Sequence, residues 1–172
     1  MTQVPAKVRD ATASDLSAIT AIYNDAILTT TATFDTQPKS DAEQAEWFSH
    51  HVGRYPVIVA EAGGDVVGWA SLSPWSDRLA YEDTAENSLY VRADLRGLGI
   101  GRLLLEALMK RARDSGLHTV VARIAEGNPS SVALHEHAGF RPIGVMREVG
   151  RKFGRRLDVA LMQAVFPEAP PS

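Results

Sequence analysis

The sequence predicts an α+β fold, α/β in looser usage, with helices packed on a mixed sheet. Three observations predict it. Residues 100–113 carry apolar side chains at helical spacing, residues 56–72 form two β-rich runs around Gly63-Gly64-Asp65, and residues 86–101 pass from an extended run through glycines into that helix.

In chain order, KVRDA at 7–11 reads as a short first strand, and Thr12 or Ser14 is placed to cap the first helix. Leu16, Ile19, Tyr23, Ala26 and Ile27 share one face of that helix, which runs to about Leu28. The threonine-rich TTTATFDTQP ends at Pro38 and suits a loop, with Phe34 either tucked beneath it or forming a pocket wall. Ser40 with Glu43 is a capping-box signature opening a second helix that ends near Gly53. His50 and His51 close that helix as surface groups or partners of its negative end.

PVIVAEA and VVGWASL, joined at Gly63 to Asp65, read as an antiparallel hairpin, and the strand from Glu86 extends the same sheet. Between them SPWSDRLAYEDTA has no strong periodicity. Its Trp75, Arg78 and Tyr81 suit either carboxylate recognition by arginine or a surface loop pinned by its tryptophan. The central helix buries Ile100, Leu103, Leu104, Ala107, Leu108 and Ala112, with Arg102, Glu106, Lys110 and Arg113 opposite. HTVVARIA at 118–125 reads as a buried strand, Asn128 caps a short helix carrying Val132, Leu134 and Ala138, and Gly139 ends it. MREVGRKFG and RRLDVALMQAVF supply a final pair of strands. Residues 1–166 are expected to form one domain, with 167–172 a mobile tail.

Bulk properties exclude several functions. A net charge of −3 with 23% charged residues argues against nucleic-acid binding, which rests on a basic face. The absence of cysteine rules out disulfides, thiolate metal sites and a cysteine acyl-enzyme. The segment MTQVPAKVRD lacks a signal peptide's apolar core and no apolar run is long enough for a membrane span, so a soluble, cytoplasmic protein is expected.

The glycine-rich turn is the most informative stretch. Glycines let the backbone approach a ligand, and the first N–H groups and positive dipole end of the helix favour a phosphate or pyrophosphate. No GK[ST] comes after it, which excludes the P-loop, and GxGxG is not the GxGxxG of dinucleotide folds. The run Arg96 to Gly101, RGLGIG, instead resembles the pyrophosphate loop of the GNAT superfamily of N-acetyltransferases.

TATFDTQP, PWSDRLAYEDTAE, SLYV, LHEHAGF and GRKFGRRLDVALMQ extend that resemblance along nearly the whole chain, to the phosphinothricin and methionine-sulfoximine N-acetyltransferase family. The resemblance implies a GNAT fold, with a mostly antiparallel central sheet flanked by helices, and acetyl-CoA as co-substrate. It implies that Leu89, Tyr90 and Val91 offer backbone groups to the pantetheine arm and that Arg96, Gly97, Leu98, Gly99, Ile100, Gly101 and Arg102 hold the pyrophosphate. Asn128 and His137 would contact the cofactor further along.

For chemistry the resemblance implies Glu86 as the base that deprotonates the amine, directly or through water, and the Tyr90 N–H as the oxyanion donor. His135 stands where many superfamily members carry a tyrosine, and with an ordinary pKa near 6.5 it is assigned proton transfer to the thiolate. Trp75, Ser76, Asp77 and Arg78, with Phe34, Glu86, Asn87 and Ser88, would form the amino-acid site. Asn87 and Arg156 depart from the family pattern, where histidine and tryptophan are common. His135-x-His137 does not have the spacing of a zinc helix, so no metal is expected.

The expected reaction is acetyl transfer from acetyl-CoA to the α-amine of phosphinothricin, methionine sulfoximine or methionine sulfone, a herbicide-detoxifying activity. Partners are then a small amino acid and, as in relatives, a second copy of the chain, with no nucleic acid or membrane. A protein N-terminus, a polyamine recognised by Glu82, Asp83 and Glu86, or an acyl-CoA sensor without turnover are the alternatives.

Overall fold

A computed structural model describes residues 5–167. Of the expected tail, 168–172 lie outside the described residues. Seven strands form one sheet in the order β1-β2-β3-β4-β5-β7-β6: β1 (Lys7–Asp10), β2 (Val57–Ala62), β3 (Asp65–Pro74), β4 (Thr84–Val91), β5 (Thr119–Ala125), β6 (Arg141–Lys152) and β7 (Arg155–Val165). Every neighbouring pair is antiparallel except β4 with β5. The helices are α1 (Leu16–Thr29), α2 (Asp41–Ser49), α3 (Ile100–Asp114) and α4 (Pro129–His137). This is the α+β architecture expected from the alternating periods.

Each face of the sheet is covered because the strands alternate their side chains. One face holds α3 and α4 over Ile58, Ala60, Ala70, Leu72, Ala85, Val120, Ala122 and Ile124, sealed by Ile100, Leu104, Leu105, Leu108 and Met109. The other holds α1 and α2 over Val57, Val59 and Trp69, with Ile19 and Ile22. Gly68 marks where β3 runs close beneath α3. A Cβ there would stand 3.0 Å from both Leu104 and the Tyr90 carbonyl.

Local signals account for the helix starts. Ser40 and Glu43 form the expected reciprocal capping box on α2, and Thr12 with Asp15 forms one on the short turn leading into α1. Four expectations change. Leu105 and Met109, rather than Leu103, complete the buried stripe of α3, because the sheet also reaches the flank of that helix. β6 starts at Arg141, well before MREVG, since Pro142 sits on the edge strand where its missing N–H costs no ladder bond. Asn128 occupies the position before α4, but its side chain makes no cap and donates back to the Ala125 carbonyl at 2.9 Å. α2 stops at Ser49, and His51 is half-buried, bonded to the Trp47 carbonyl and Ser73 hydroxyl. Among the described residues no helix is long and apolar enough to cross a membrane.

Candidate active site

The site begins where the sheet opens. β4 pairs with β5 only from Thr84–Thr119 to Glu86–Val121, whereas its pairing with β3 continues in unbroken register to Val91. The Arg92 N–H bonds the Val67 carbonyl and the Trp75 N–H bonds the Thr84 carbonyl. Antiparallel alternation therefore turns the backbone groups of Glu86, Ser88 and Tyr90 toward β3, and those of Asn87, Leu89 and Val91 toward the gap. This corrects the oxyanion expectation: the Tyr90 N–H faces Trp69, and the Leu89 N–H is the one that faces the opening.

A cavity of about 540 Å³ occupies this gap. Side chains alternate along β4, so Leu89 and Val91 pack with the α3 cluster while Tyr90 packs with Trp69 on the α1 face. Asn87 and Leu89 thus reach the cavity from one side of the sheet, Glu86, Ser88 and Tyr90 from the other. It is a passage through the sheet with two chemically different ends.

At the first end stands α4, with Ser131 and His135 on the cavity, and the start of α3 packs beside it where Gly101 meets Leu89. Gly97 and Gly99 take φ of 76° and 89°, a left-handed geometry that side chains resist, and Gly99 is the residue before α3. Gly101 faces Leu134 and Leu89, where a Cβ would lie 3.4 and 3.7 Å from their methyl groups. The first N–H groups of α3 have no acceptor within the helix, and exposed Arg96 and Arg102 flank them. Arg96 donates to the Val91 carbonyl at 3.2 Å, and Arg102 bonds Glu106 at 2.7 Å. Leu98 is half-buried and Ile100 buried under the loop. Asn128 lines the cavity, whereas His137 is exposed at the end of α4 and does not.

His135 is 5% exposed and both its ring nitrogens are engaged. Nδ1 is 2.7 Å from the Ser131 carbonyl, which only an N–H can satisfy, so Nε2 is the unprotonated nitrogen and accepts from the Asn87 amide at 3.0 Å. Burial pulls the imidazole below its ordinary pKa, so it stands neutral at pH 7. A neutral ring arranged this way has no free proton for a thiolate. It orients Asn87 instead, leaving the buried Asn87 Oδ1 as an acceptor with no protein partner beside the cavity.

At the second end the dominant feature is an ion pair. Arg123 of β5 engages both oxygens of Glu86, Nε to Oε1 at 2.5 Å and Nη2 to Oε2 at 2.6 Å. Its guanidinium also lies 5.9 Å from the Trp75 ring centre. Around the pair, the Tyr23 hydroxyl donates to Asp35 at 2.6 Å, and burial together with the nearby Asp35 and Glu86 charges pushes the Tyr90 phenol up to about 12. Phe34 forms a wall of the cavity and lies directly on Gly150, which has no space for a Cβ. Beside it Lys152, 4% exposed, donates to the Thr33 carbonyl at 2.7 Å, pinning the 31–38 loop to β6.

Other expected substrate residues are not brought to the cavity. Trp75 reaches it only through Arg123, and Ser76, Asp77 and Arg78 are not among its lining. Ser76 Oγ accepts from the Arg78 N–H, bracing the exposed turn at Leu79–Tyr81. Glu82 is exposed and Asp83 is held by Arg54 at 2.7 Å, so the acids suited to a polyamine do not converge with Glu86. Arg156 is exposed on β7, paired across the hairpin with Arg151. Sequence patterns alone do not bring Arg123, Lys152 and Asp35 to this end. Arg123 does carry a visible signal: a charged residue interrupts HTVVARIA, and a cation within a buried strand requires a partner.

Known proteins resemble this chain along most of its length. Residues 19–140 match the model of the acetyltransferase (GNAT) family. An L-methionine sulfoximine/L-methionine sulfone acetyltransferase of Pseudomonas aeruginosa is 46% identical over 160 residues, covering 92% of this chain and 93% of that protein. A phosphinothricin N-acetyltransferase of Streptomyces coelicolor is 39% identical, covering 90% of this chain and 92% of that protein. The crystal structure of a GNAT superfamily phosphinothricin acetyltransferase from Sinorhizobium meliloti, in complex with acetyl-CoA, superimposes with a TM-score of 0.92 at 41% identity, covering 96% of this chain and 90% of that one.

Proposed function

The chain belongs to the GNAT family of acetyltransferases, and from that premise we propose that it transfers acetyl from acetyl-CoA to the α-amine of a small amino acid of the methionine sulfoximine, methionine sulfone or phosphinothricin type. One observation carries the reading: a cavity through the sheet has the carboxylate Glu86 on one side, and on the other it reaches Leu89, against which Gly101 at the anion-binding start of α3 packs. The two substrates enter from opposite faces and meet between β4 and β5.

The acyl donor lies on the α3 side. Its pyrophosphate sits on the Gly97 to Arg102 turn, flanked by Arg96, and its pantetheine arm pairs with the gap-facing backbone of Leu89 and Val91 as a strand would. Asn128 and the free Asn87 Oδ1 offer further polar contacts. The thioester oxygen then falls at the Leu89 N–H, which stabilises it as negative charge develops.

The amine arrives on the α1 side between Phe34, Ser88 and Tyr90. It is largely protonated at neutral pH, so Glu86 takes a proton directly or through water before attack on the thioester carbon. The tetrahedral adduct collapses by expelling the CoA thiolate. The nitrogen of the adduct gives up its excess proton as the amide forms, and that proton balances the one the thiolate takes up to leave as the thiol; it does not come from His135, whose ring is committed to Ser131 and Asn87.

Residues 1–166 act as one catalytic domain in the cytoplasm. Pairing of two copies is supported by the exposed apolar residues Ile143, Val145, Val149 and Phe153 of the β6–β7 hairpin. Acetylation of phosphinothricin would confer resistance to that herbicide. Release of free CoA, followed with a thiol reagent, tests the reading without background because the protein has no cysteine. Acceleration by at least one of the three amino acids is expected, and no acceleration by any of them rejects the substrate class.

A further inference from the structure

We propose that the Glu86–Arg123 ion pair is a receptor for the amino-acid zwitterion, in which the substrate α-carboxylate takes the Arg123 guanidinium from Glu86 while the substrate ammonium takes Glu86. The inference rests on the acetyl transfer proposed above and adds the residue that selects amino acids over other amines.

The geometry supports it in three ways. Arg123 is the only guanidinium lining the cavity among the described residues, since Arg78 lies off it and the Lys152 ammonium is spent on the Thr33 carbonyl. It already holds a carboxylate as a two-pronged fork, the arrangement a second carboxylate would adopt. Its side chain is 52% exposed and rests near the flat Trp75 ring, so it can turn toward the cavity without unpacking core.

The exchange also balances charge. In the free protein Glu86 and Arg123 neutralise each other, and inserting a zwitterion converts one pair into two, ammonium with Glu86 and carboxylate with Arg123. No charge is left unpaired in a partly desolvated site. An amine without a carboxylate would draw Glu86 away and strand Arg123, so it is disfavoured before any chemistry. The same exchange frees Glu86: both of its oxygens are occupied until the substrate carboxylate arrives. Specificity and activation of the base are one event.

The test compares methionine sulfone with the amine that lacks only its carboxylate group, by kcat/KM. The wild type is expected to prefer the amino acid by about a hundredfold or more, because a site built around a polar partner strongly rejects the analogue lacking it. Arg123→Leu should lower kcat/KM for the amino acid by about the same factor while leaving that for the carboxylate-free amine unchanged or higher. Acetyl-CoA binding by calorimetry should be unaltered, which shows that the variant is folded. Equal wild-type kcat/KM for the two compounds overturns the proposal without any variant. So does an equal loss on both substrates in Arg123→Leu, which would make Arg123 a support for Glu86 alone. Absence of thiol release from every amine tried with the wild type would instead reject the transfer reaction itself.

Discussion

The two ends of the passage are built differently. The end proposed for the cofactor is almost one continuous piece of chain: Asn87 and Leu89 line the cavity, the glycine turn and helix start to Arg102 follow in sequence and pack on Leu89 through Gly101, and α4 closes it. The amine end is assembled from positions near 23, 33–35, 86–90, 123 and 146–152, which meet only after the sheet has formed. A phosphate can be recognised by backbone N–H groups, so its site needs local glycines and little else. A particular amine needs side chains at particular angles, and these are supplied from wherever the fold brings them.

The strongest way to break the amine end alone is Glu86→Gln. It keeps shape and removes the base, so kcat should fall about 10²–10³-fold while acetyl-CoA affinity stays within about twofold of wild type. Stopped or steady-state thiol release gives the first quantity and calorimetry the second. A parallel loss of acetyl-CoA affinity would mean that the two ends are not separable.

Breaking the cofactor end calls for Gly101→Leu. The space beside Gly101 is bounded by Leu134, Leu89 and Val91, all within 4 Å of a Cβ, so a full side chain must push α3 away from the strand that holds the donor. Overpacking of this kind costs about 1–3 kcal/mol, which corresponds to acetyl-CoA binding weakened by about 5–150-fold. The KM for the amine, measured at saturating donor, should change far less.

This asymmetry also decides what could be read from the sequence. RGLGIG, the helix periodicity and the capping box at Ser40 are local patterns, so the fold order and the glycine turn into α3 are legible. Roles that depend on tertiary partners were not. Whether His135 gives or holds a proton turns on the Ser131 carbonyl and Asn87, and the Tyr90 amide turns on ladder parity with β3. Arg78 looked suited to a carboxylate because it neighbours Trp75 in sequence, whereas Arg123 reaches Trp75 and Glu86 from another strand.

A gentler perturbation of the amine end is Gly150→Ala. The added methyl group collides with the Phe34 ring, and the 31–38 loop must shift although Lys152 still holds the Thr33 carbonyl. The amine KM should rise by roughly tenfold with acetyl-CoA affinity unchanged, given the 1–3 kcal/mol that small-to-large changes cost. Adding Phe34→Ala should relieve the collision, so the pair should not be additive.

The smallest effect concerns the boundary between the two ends, where His135 and Asn87 meet. Burial holds the His135 pKa below its ordinary value, so the unfolded chain binds a proton there more readily than the folded one. Its contribution to stability is therefore complete above about pH 6.5 and is lost as pH falls from that value toward the lower folded pKa. Half-buried His51 is shifted the same way for the same reason, so both histidines add to the acid side of the profile. Lowering the pH from about 7.5 to about 5.5 should reduce the Tm by a few degrees, and His135→Gln should show a smaller drop across that window because it cannot take up the proton. If His135 were instead protonated in the folded state, ready to donate to a thiolate, the sign would reverse, and the wild type would hold its stability better than the variant as the pH falls. Thermal melts of the two proteins across this range therefore tell a positioning imidazole from an acid without reference to the rate of the reaction.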